Sequence, residues 1–277
     1  MNDTKKARPK EARAARQDDD PLMVRSVEKA LKVLDVFVRL GHPLSLTALA
    51  AELGSDKSTA QRFSHTLEQL GYLRRDPATK HFELGIKVLD LGYGFLHANA
   101  LLNRAMPYLI HLSRETEETI NITMRDKAEI VFVSRFMSRH LFNTDVTIGT
   151  RMPVYCTAPG IAMLSKLPRQ EAIQLLEQCD RRPLTPNTTW EMDALQAKLD
   201  LSSARGYATA FEEFYHDDLS ISAPIFESGV PAAAVTVSVS RLRYTPAEAE
   251  ARFAPLVIAA ARSISHSSHQ MSAGPRG

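Results

Sequence analysis

The stretch "DKSTAQRFSHTLEQLGYLRRD", beginning at Asp56, constrains the chain more than any other. Ala60, Phe63, Leu67 and Leu70 recur at the three- and four-residue spacing of one helical stripe. Ser58, Gln61, Arg62 and His65 recur at the same spacing on the opposite side. The pattern predicts a helix that docks through one face and offers hydrogen-bonding groups on the other. Ser55 or Asp56 can cap its first turn, and Gly71 ends it.

Two amphipathic helices precede it. In "VRSVEKALKVLDVFVRL" the expected inner stripe is Val27, Ala30, Leu31, Leu34 and Val38, and Gly41, His42 and Pro43 stop the helix. In "SLTALAAELG" the apolar set is Leu46, Leu49, Ala50 and Leu53, with Ser45 as N-cap and Gly54 as terminator. Beyond the third helix, "YLRRD" and "KHFEL" read as strand arms, with Asp76 and Pro77 opening a type I turn. Three short helices and a basic hairpin in this order predict a winged helix-turn-helix, whose second paired helix enters the DNA major groove while the wing follows the backbone. The candidate DNA-binding residues are Lys57, Ser58, Thr59, Gln61, Arg62 and His65 on the helix, with Arg74, Arg75 and Lys80 on the wing. Charge agrees: residues 1–85 hold 15 Lys+Arg against 12 Asp+Glu, although the whole chain nets only +2.

At 277 residues, 44% of them hydrophobic, the chain can fill two cores. Cys156 and Cys179 lack any C-x-x-C spacing, which fits a reducing cytoplasm and suggests neither a zinc site nor a disulfide framework. No apolar run approaches the ~20 residues of a membrane span. The opening "MNDTKKARPKEARAARQDDD" lacks a signal peptide's apolar stretch, so a cytoplasmic location and no membrane partner are expected. The expected organisation is a disordered basic arm over 1–22, the DNA-binding domain over 23–85, a linker helix over 86–100, a second domain over 101–266 and a disordered tail over 267–277.

In the linker "GIKVLDLGYGFLHANALLNRAM", Ile86, Leu89, Tyr93 and Leu96 form one stripe and Val88, Leu91 and Phe95 another. A helix apolar on two faces suggests a dimer contact. Gly92 and Gly94, each costing ~1 kcal/mol against alanine in a helix, mark a bend or a close crossing. Pro107 is expected to start or kink the next helix, which continues to about Glu118. "TINITMRD" and "EIVFVSRFM" read as a hairpin around Asp126–Ala128, and "LSISAPIFESGVPAAAVTVSVS" as two strands about a Ser228-Gly229 turn. A closing helix starts at a capping box of Thr245, Pro246 and Glu248. The mixed order of helices and antiparallel strands predicts an α+β class.

Five stretches, "RSVEKALKVLDVF", "LTALAAELGSDKSTAQRFSHTLEQLGYL", "PVYCTAPGIAML", "RGYATAFEEF" and "SAPIFESGVPAAAVTVSVS", together resemble the IclR family of bacterial transcriptional regulators across residues 24–266. The resemblance implies an N-terminal winged helix-turn-helix, a linker helix and a C-terminal GAF-like α/β effector-binding domain. It also implies a homodimer or homotetramer on a palindromic double-stranded operator, and a small organic acid as effector, with no cofactor. By that likeness the acid lies at the N-terminus of a helix beginning near Thr157, with Thr157, Ala158, Pro159 and Gly160 as its turn. Free N–H groups and the positive end of the helix dipole suit a carboxylate there. The other wall would come from Ser220, Ser222, Thr236 and Ser238, with Asn121 and Thr123 adding polar contacts; alternate residues of one strand share a face.

The chain departs from the family pattern. Ala210 stands where an aspartate is common, Ser220 where a cysteine is common, Ile161 follows Gly160 in place of lysine, and "YHDDL" lacks the familiar glycine. Loss of the aspartate points to a less polar or aromatic acid, with Met124, Phe211 and Phe214 as candidate neighbours. Cys156 reads as a small buried side chain. A metabolite-binding enzyme with an appended DNA-binding module is the alternative function, and a ligand-free nucleoid binder a third. The chain has no H-E-x-x-H, no G-x-S-x-G and no phosphate-cradling glycine loop. His216, Asp217 and Asp218 are expected to form a solvated polar loop rather than a metal site.

Overall fold

The computed structural model describes residues 22–139 and 146–271. The expected arm, apart from Leu22, and the expected tail beyond 271 lie outside the described residues. The chain divides into two compact units between Phe95 and Leu96.

In the first unit α1 (Arg25–Leu40), α2 (Leu46–Glu52) and α3 (Lys57–Gln69) precede an antiparallel hairpin of β1 (Leu73–Arg75) and β2 (Phe82–Leu84). The core gathers Val33, Val36 and Phe37 of α1 with Leu44, Leu49, Leu67, Leu73 and Phe82. That corrects the expected inner stripe of α1: Val27, Leu31 and Val38 stand 54%, 55% and 68% exposed. The helix is apolar on two sides, and periodicity alone does not say which side meets α3. In α3 the inward set is Ala60, Ser64 and Leu67. Leu70, expected inside, is exposed, and Ser64 takes an inner place because its hydroxyl donates to the Ala60 carbonyl at 2.8 Å.

The α2–α3 turn is tight for a local reason. Gly54 sits at φ +57, Ser55 N–H donates to Ala50 O at 3.0 Å, and Gly54 N–H donates to Ala51 O at 3.1 Å. This is a Schellman closure, and its left-handed residue favours glycine. Ser45 caps α2 through Ala48 N–H. After the hairpin, α4 (Val88–Ala98) buries none of its residues within the chain, and Ile86, Leu89, Leu91, Tyr93 and Phe95 are exposed.

In the second unit α5 (Ala100–Thr116) is capped by Asn99, whose Oδ1 accepts from Leu102 N–H at 3.1 Å. Pro107 therefore lies inside a helix that has already begun at Ala100. There follow β3 (Thr119–Asp126), β4 (Glu129–Phe136), β5 (Arg151–Pro153), α6 (Ala158–Leu164), α7 (Arg169–Glu177), α8 (Met192–Arg205), β6 (Ala208–Phe211), β7 (Asp218–Glu227), β8 (Val230–Ser240) and α9 (Pro246–Met271). The last helix continues past the boundary at 266 expected from the sequence. Its start is the expected capping box: Glu248 Oε2 accepts from Thr245 N–H at 2.8 Å and Thr245 Oγ1 accepts from Glu248 N–H at 3.2 Å.

The strands form one antiparallel sheet in the order β5-β4-β3-β8-β7-β6. Alternation sorts its side chains. Ile120, Ile122, Leu219, Ile221, Val235 and Val237 pack toward α5 and α9 with Leu109, Phe253 and Val257. The opposite face meets α6 and α8 through Ile130, Val154, Ile161, Met163, Leu195 and Ala234. Every residue of α6 is buried. Gly160 permits this depth, because a Cβ there would lie 2.2 Å from the Val154 carbonyl oxygen and 2.5 Å from its Cα.

Backbone cannot yield as a flexible side chain does. Gly160→Ala is therefore expected to destabilise the second unit by about 1–3 kcal/mol, the usual cost of overpacking. Denaturant unfolding checks this, and an unchanged midpoint would show that α6 can slide.

Candidate functional site

On the first unit, Asp56 caps α3 with both carboxylate oxygens. Oδ1 accepts from Thr59 N–H and from the Ser58 hydroxyl, each at 2.8 Å, and Oδ2 accepts from the Thr59 hydroxyl at 2.7 Å. These bonds hold the Asp56 carboxyl well below the usual carboxylate range. Ser58 and Thr59 thus spend their hydroxyl protons on the cap. The exposed donors left on this face are Lys57, Gln61, Arg62 and His65. Phosphate oxygens only accept, so that distinction matters for any nucleic-acid contact.

In the hairpin, Asp76 Oδ1 accepts from Ala78 N–H at 2.8 Å and Thr79 N–H at 2.6 Å, and the turn closes at Lys80, φ +60. Arg74 Nε donates to Glu83 at 2.7 Å, and Arg75 Nε donates to the Lys80 carbonyl at 3.2 Å with its guanidinium over the Phe82 ring. Lys80 stands exposed at the tip.

In the second unit a cavity of about 50 Å³ lies between the sheet and the start of α6. That is room for roughly three to five waters, or a small organic molecule. Its apolar wall includes Phe132, Val146, Met152 and Phe214. Its polar wall is a hydrogen-bonded row crossing four strands. Arg135 Nη1 donates to Asn121 Oδ1 at 3.0 Å, and Asn121 Nδ2 reaches Ser238 Oγ at 3.4 Å. Ser238 and Ser220 share a bond at 2.9 Å, and Ser220 Oγ donates to Asp218 Oδ2 at 2.9 Å. The row runs from β4 through β3 and β8 to β7, a cation at one end and a carboxyl at the other.

Burial pushes the Asp218 carboxyl up to about 7, against the lowering pull of the Ser220 hydroxyl and the Arg135 charge. Burial also lowers Arg135, which Asp218 and Tyr215 offset in part. The Cys156 thiol lines the same cavity and is pushed by burial up to about 12, so it stays neutral.

Of the effector residues suggested by sequence, Asn121, Thr157, Ala158, Ser220, Thr236 and Ser238 line the cavity. Thr123, Gly160 and Ser222 do not. Ser222 donates to the Val235 carbonyl at 3.0 Å and pairs with Thr236 at 2.9 Å, which spends it on structure. Gly160 serves close packing, and Thr123 is wholly buried. Met124 and Phe211 pack with the α5/α9 core instead, while Phe214 does reach the cavity. Arg135 and Asp218 escaped the sequence reading. Asp218 was expected in a solvated loop, yet only His216 and Asp217 are exposed there, and strand alternation turns Asp218 inward with Ser220. A carboxyl absent at Ala210, which lines the cavity, thus reappears on the neighbouring strand. Among the described residues no group of three or more His, Cys, Asp or Glu could hold a metal, and no helix is long and apolar enough to cross a membrane.

A helix-turn-helix joined to an α/β domain with a cavity lined by charged and apolar groups defines a DNA-binding regulator that answers to a small molecule. The family profile described as "IclR helix-turn-helix domain" matches residues 26–77, and "Bacterial transcriptional regulator IclR C-terminal" matches residues 94–266. The chain belongs to the IclR family of transcriptional regulators. It is 29% identical to the Pca regulon regulatory protein of Pseudomonas putida over 249 residues, 89% of this chain and 85% of that one. A transcriptional regulator of Rhodococcus sp. RHA1 has a TM-score of 0.78 at 31% identity, over 90% of this chain and 100% of the other. An IclR homolog from Microbacterium hydrocarbonoxydans, solved with 4-hydroxybenzoate, shares the fold with a TM-score of 0.74 at 18% identity, over 88% of this chain and 99% of the other.

The raised Asp218 carboxyl makes stability depend on pH. Its folded pKa of about 7 lies above the ordinary 3.8, so between those values the native chain binds more protons than the unfolded one. The stability tied to this group is complete below about pH 4, is lost as pH rises toward about 7, and changes no further above. In Asp218→Asn that loss is expected to vanish. The variant's melting temperature relative to wild type should climb across this window, and a pH-independent difference would show the carboxyl to be well solvated.

Proposed function

We propose that the first unit grips a palindromic operator as a winged helix-turn-helix, paired with a second copy, and that a small aromatic or other weakly polar acid held in the second unit changes that grip. Gln61, Arg62 and His65 reach base edges, Lys57 and Lys80 meet phosphates, and the β1–β2 hairpin is the wing. Ser58 and Thr59 serve chiefly to hold the cap. Arg74 and Arg75 meet DNA only after loosening their bonds within the hairpin.

The observation that carries the effector reading is the cavity: one wall apolar, the other ending in a guanidinium. A carboxylate seeks the second and an apolar body the first. The 4-hydroxybenzoate of the Microbacterium homolog supports an aromatic acid, and the three-layer domain supports a GAF-like label. The start of α6 adds backbone N–H groups, although Pro159 has none to give.

Pairing is supported by the apolar α4 surface and by the exposed Val27, Leu31 and Val38. At Gly92 and Gly94 an added Cβ would meet nothing within 4 Å in the single chain, which leaves space for a closely crossing partner helix. Dimer or tetramer both satisfy this surface. Ligand control then requires only that the acid favour one arrangement of the paired chains over another.

Footprinting followed by anisotropy titration tests the reading. Arg62→Ala is expected to cost about 1–3 kcal/mol on the operator and less on random duplex, as for a base contact. Lys80→Ala should weaken both alike and flatten the logarithmic salt slope by about 0.9, as for one phosphate contact. Benzoate or 4-hydroxybenzoate should shift operator affinity several-fold. A wild-type chain with no discrete protected site, or with affinity indifferent to every acid tried, would refute the corresponding half.

A further inference from the structure

We propose that binding of an acid in this cavity is coupled to uptake of one proton by Asp218, the acid and Asp218 competing for the guanidinium of Arg135. The proposal rests on the effector reading above and adds its pH control.

The geometry is that of a shared charge. Arg135 and Asp218 stand at the two ends of one hydrogen-bonded row. With Asp218 ionised, its oxygen accepts from Ser220, which obliges Ser220 to accept from Ser238, and Ser238 to accept from Asn121. Every proton in the row then points toward Asp218, and Arg135 balances the charge. An incoming carboxylate brings a second negative charge to a cavity in which Arg135 is the one cation among the described lining residues. Two carboxylates in one poorly solvated site do not both stay ionised; the less costly one takes a proton.

Asp218 is that one. Its carboxyl is half-protonated near neutral pH, whereas an ordinary carboxylic acid ionises about three units lower. Protonated Asp218 keeps an oxygen to accept from Ser220 and gains an O–H that can donate to the ligand.

Among the described residues, the other groups facing this point do not replace it. From the α6 side come Cys156, a neutral thiol, and α6 itself, whose sequence APGIAML holds no titratable residue. From the loop before β7, Tyr215 lines the cavity, while His216 and Asp217 are exposed. Glu213 is engaged by Lys198. Glu212, whose N–H donates to the Asp218 carbonyl at 2.6 Å, has its carboxylate 3.8 Å from Arg241 beyond β8. On the far face of the sheet α9 packs on β7 through its apolar side.

Two consequences follow. The cavity prefers monoanions, because a second carboxylate on the ligand would need a further proton. Affinity for a monoanion falls as pH rises through about 7.

Calorimetric titration of the full chain with pyruvate, benzoate and 4-hydroxybenzoate, in buffers of different ionisation enthalpy, counts the protons taken up. The wild type is expected to take up about half a proton per acid near pH 7 and close to one a unit higher, its affinity falling about tenfold per pH unit there. Asp218→Asn should bind the same acid with no uptake and a flat pH profile. Wild-type binding without proton uptake would overturn the coupling and leave the effector reading standing. Failure of all three acids to bind would remove both. Should the variant not fold, the wild-type proton count decides alone.

Discussion

A hydroxyl or amide turned into a packed layer costs free energy unless a partner takes its hydrogen bond, and the second unit is arranged around that constraint. One face of its sheet is apolar and packs against α5 and α9. The other turns Asn121, Ser220, Ser222, Thr236 and Ser238 toward a helix with no side chain able to answer them. They answer each other across strands, and the outermost row ends on Arg135 and Asp218. Where the row stops and α6 begins, neither kind of packing is complete. The cavity is that gap.

The same economy operates at the front of the chain. Asp56 satisfies the free Thr59 N–H of α3 and also draws in the hydroxyls of Ser58 and Thr59. Capping and outward hydrogen bonding compete for the same donors. The cap takes the nearest two, and the residues one turn further on, Gln61, Arg62 and His65, are left exposed. In the hairpin a similar competition ties Arg74 to Glu83, which offsets part of the positive charge of that surface.

Periodicity made α1 to α5, the two hairpins of the sheet and α9 legible, while α7, α8, β5 and β6 carried no pattern that was read. Ser45, Gly54, Thr245 and Glu248 do in the structure what caps and turns require, because capping is decided by residues within four positions of one another. The alternation in β7 and β8 correctly put Ser220 and Ser222 on one surface, and Thr236 and Ser238 on its neighbour. Legibility failed where two answers satisfied one pattern. The α1 sequence carries two apolar stripes, and the stripe read as core, with Val27, Leu31 and Val38, is the exposed one. Asp218 looked like part of a polar loop because its neighbours His216 and Asp217 are one.

By itself the sequence determined what local chemistry determines: the type of each strongly patterned element, caps, turns, the family and the outward polar ridge of α3. The tertiary structure alone decided which hydroxyls face open space and which are spent on neighbours, since Ser220 and Ser222 are equivalent until β8 and α6 are in place. It alone brought Arg135 and Asp218, from strands 83 positions apart in the chain, to the ends of one row. The physical reason is range: hydrogen-bond preference and periodicity act over a few residues, whereas desolvation and charge depend on whatever the fold packs alongside.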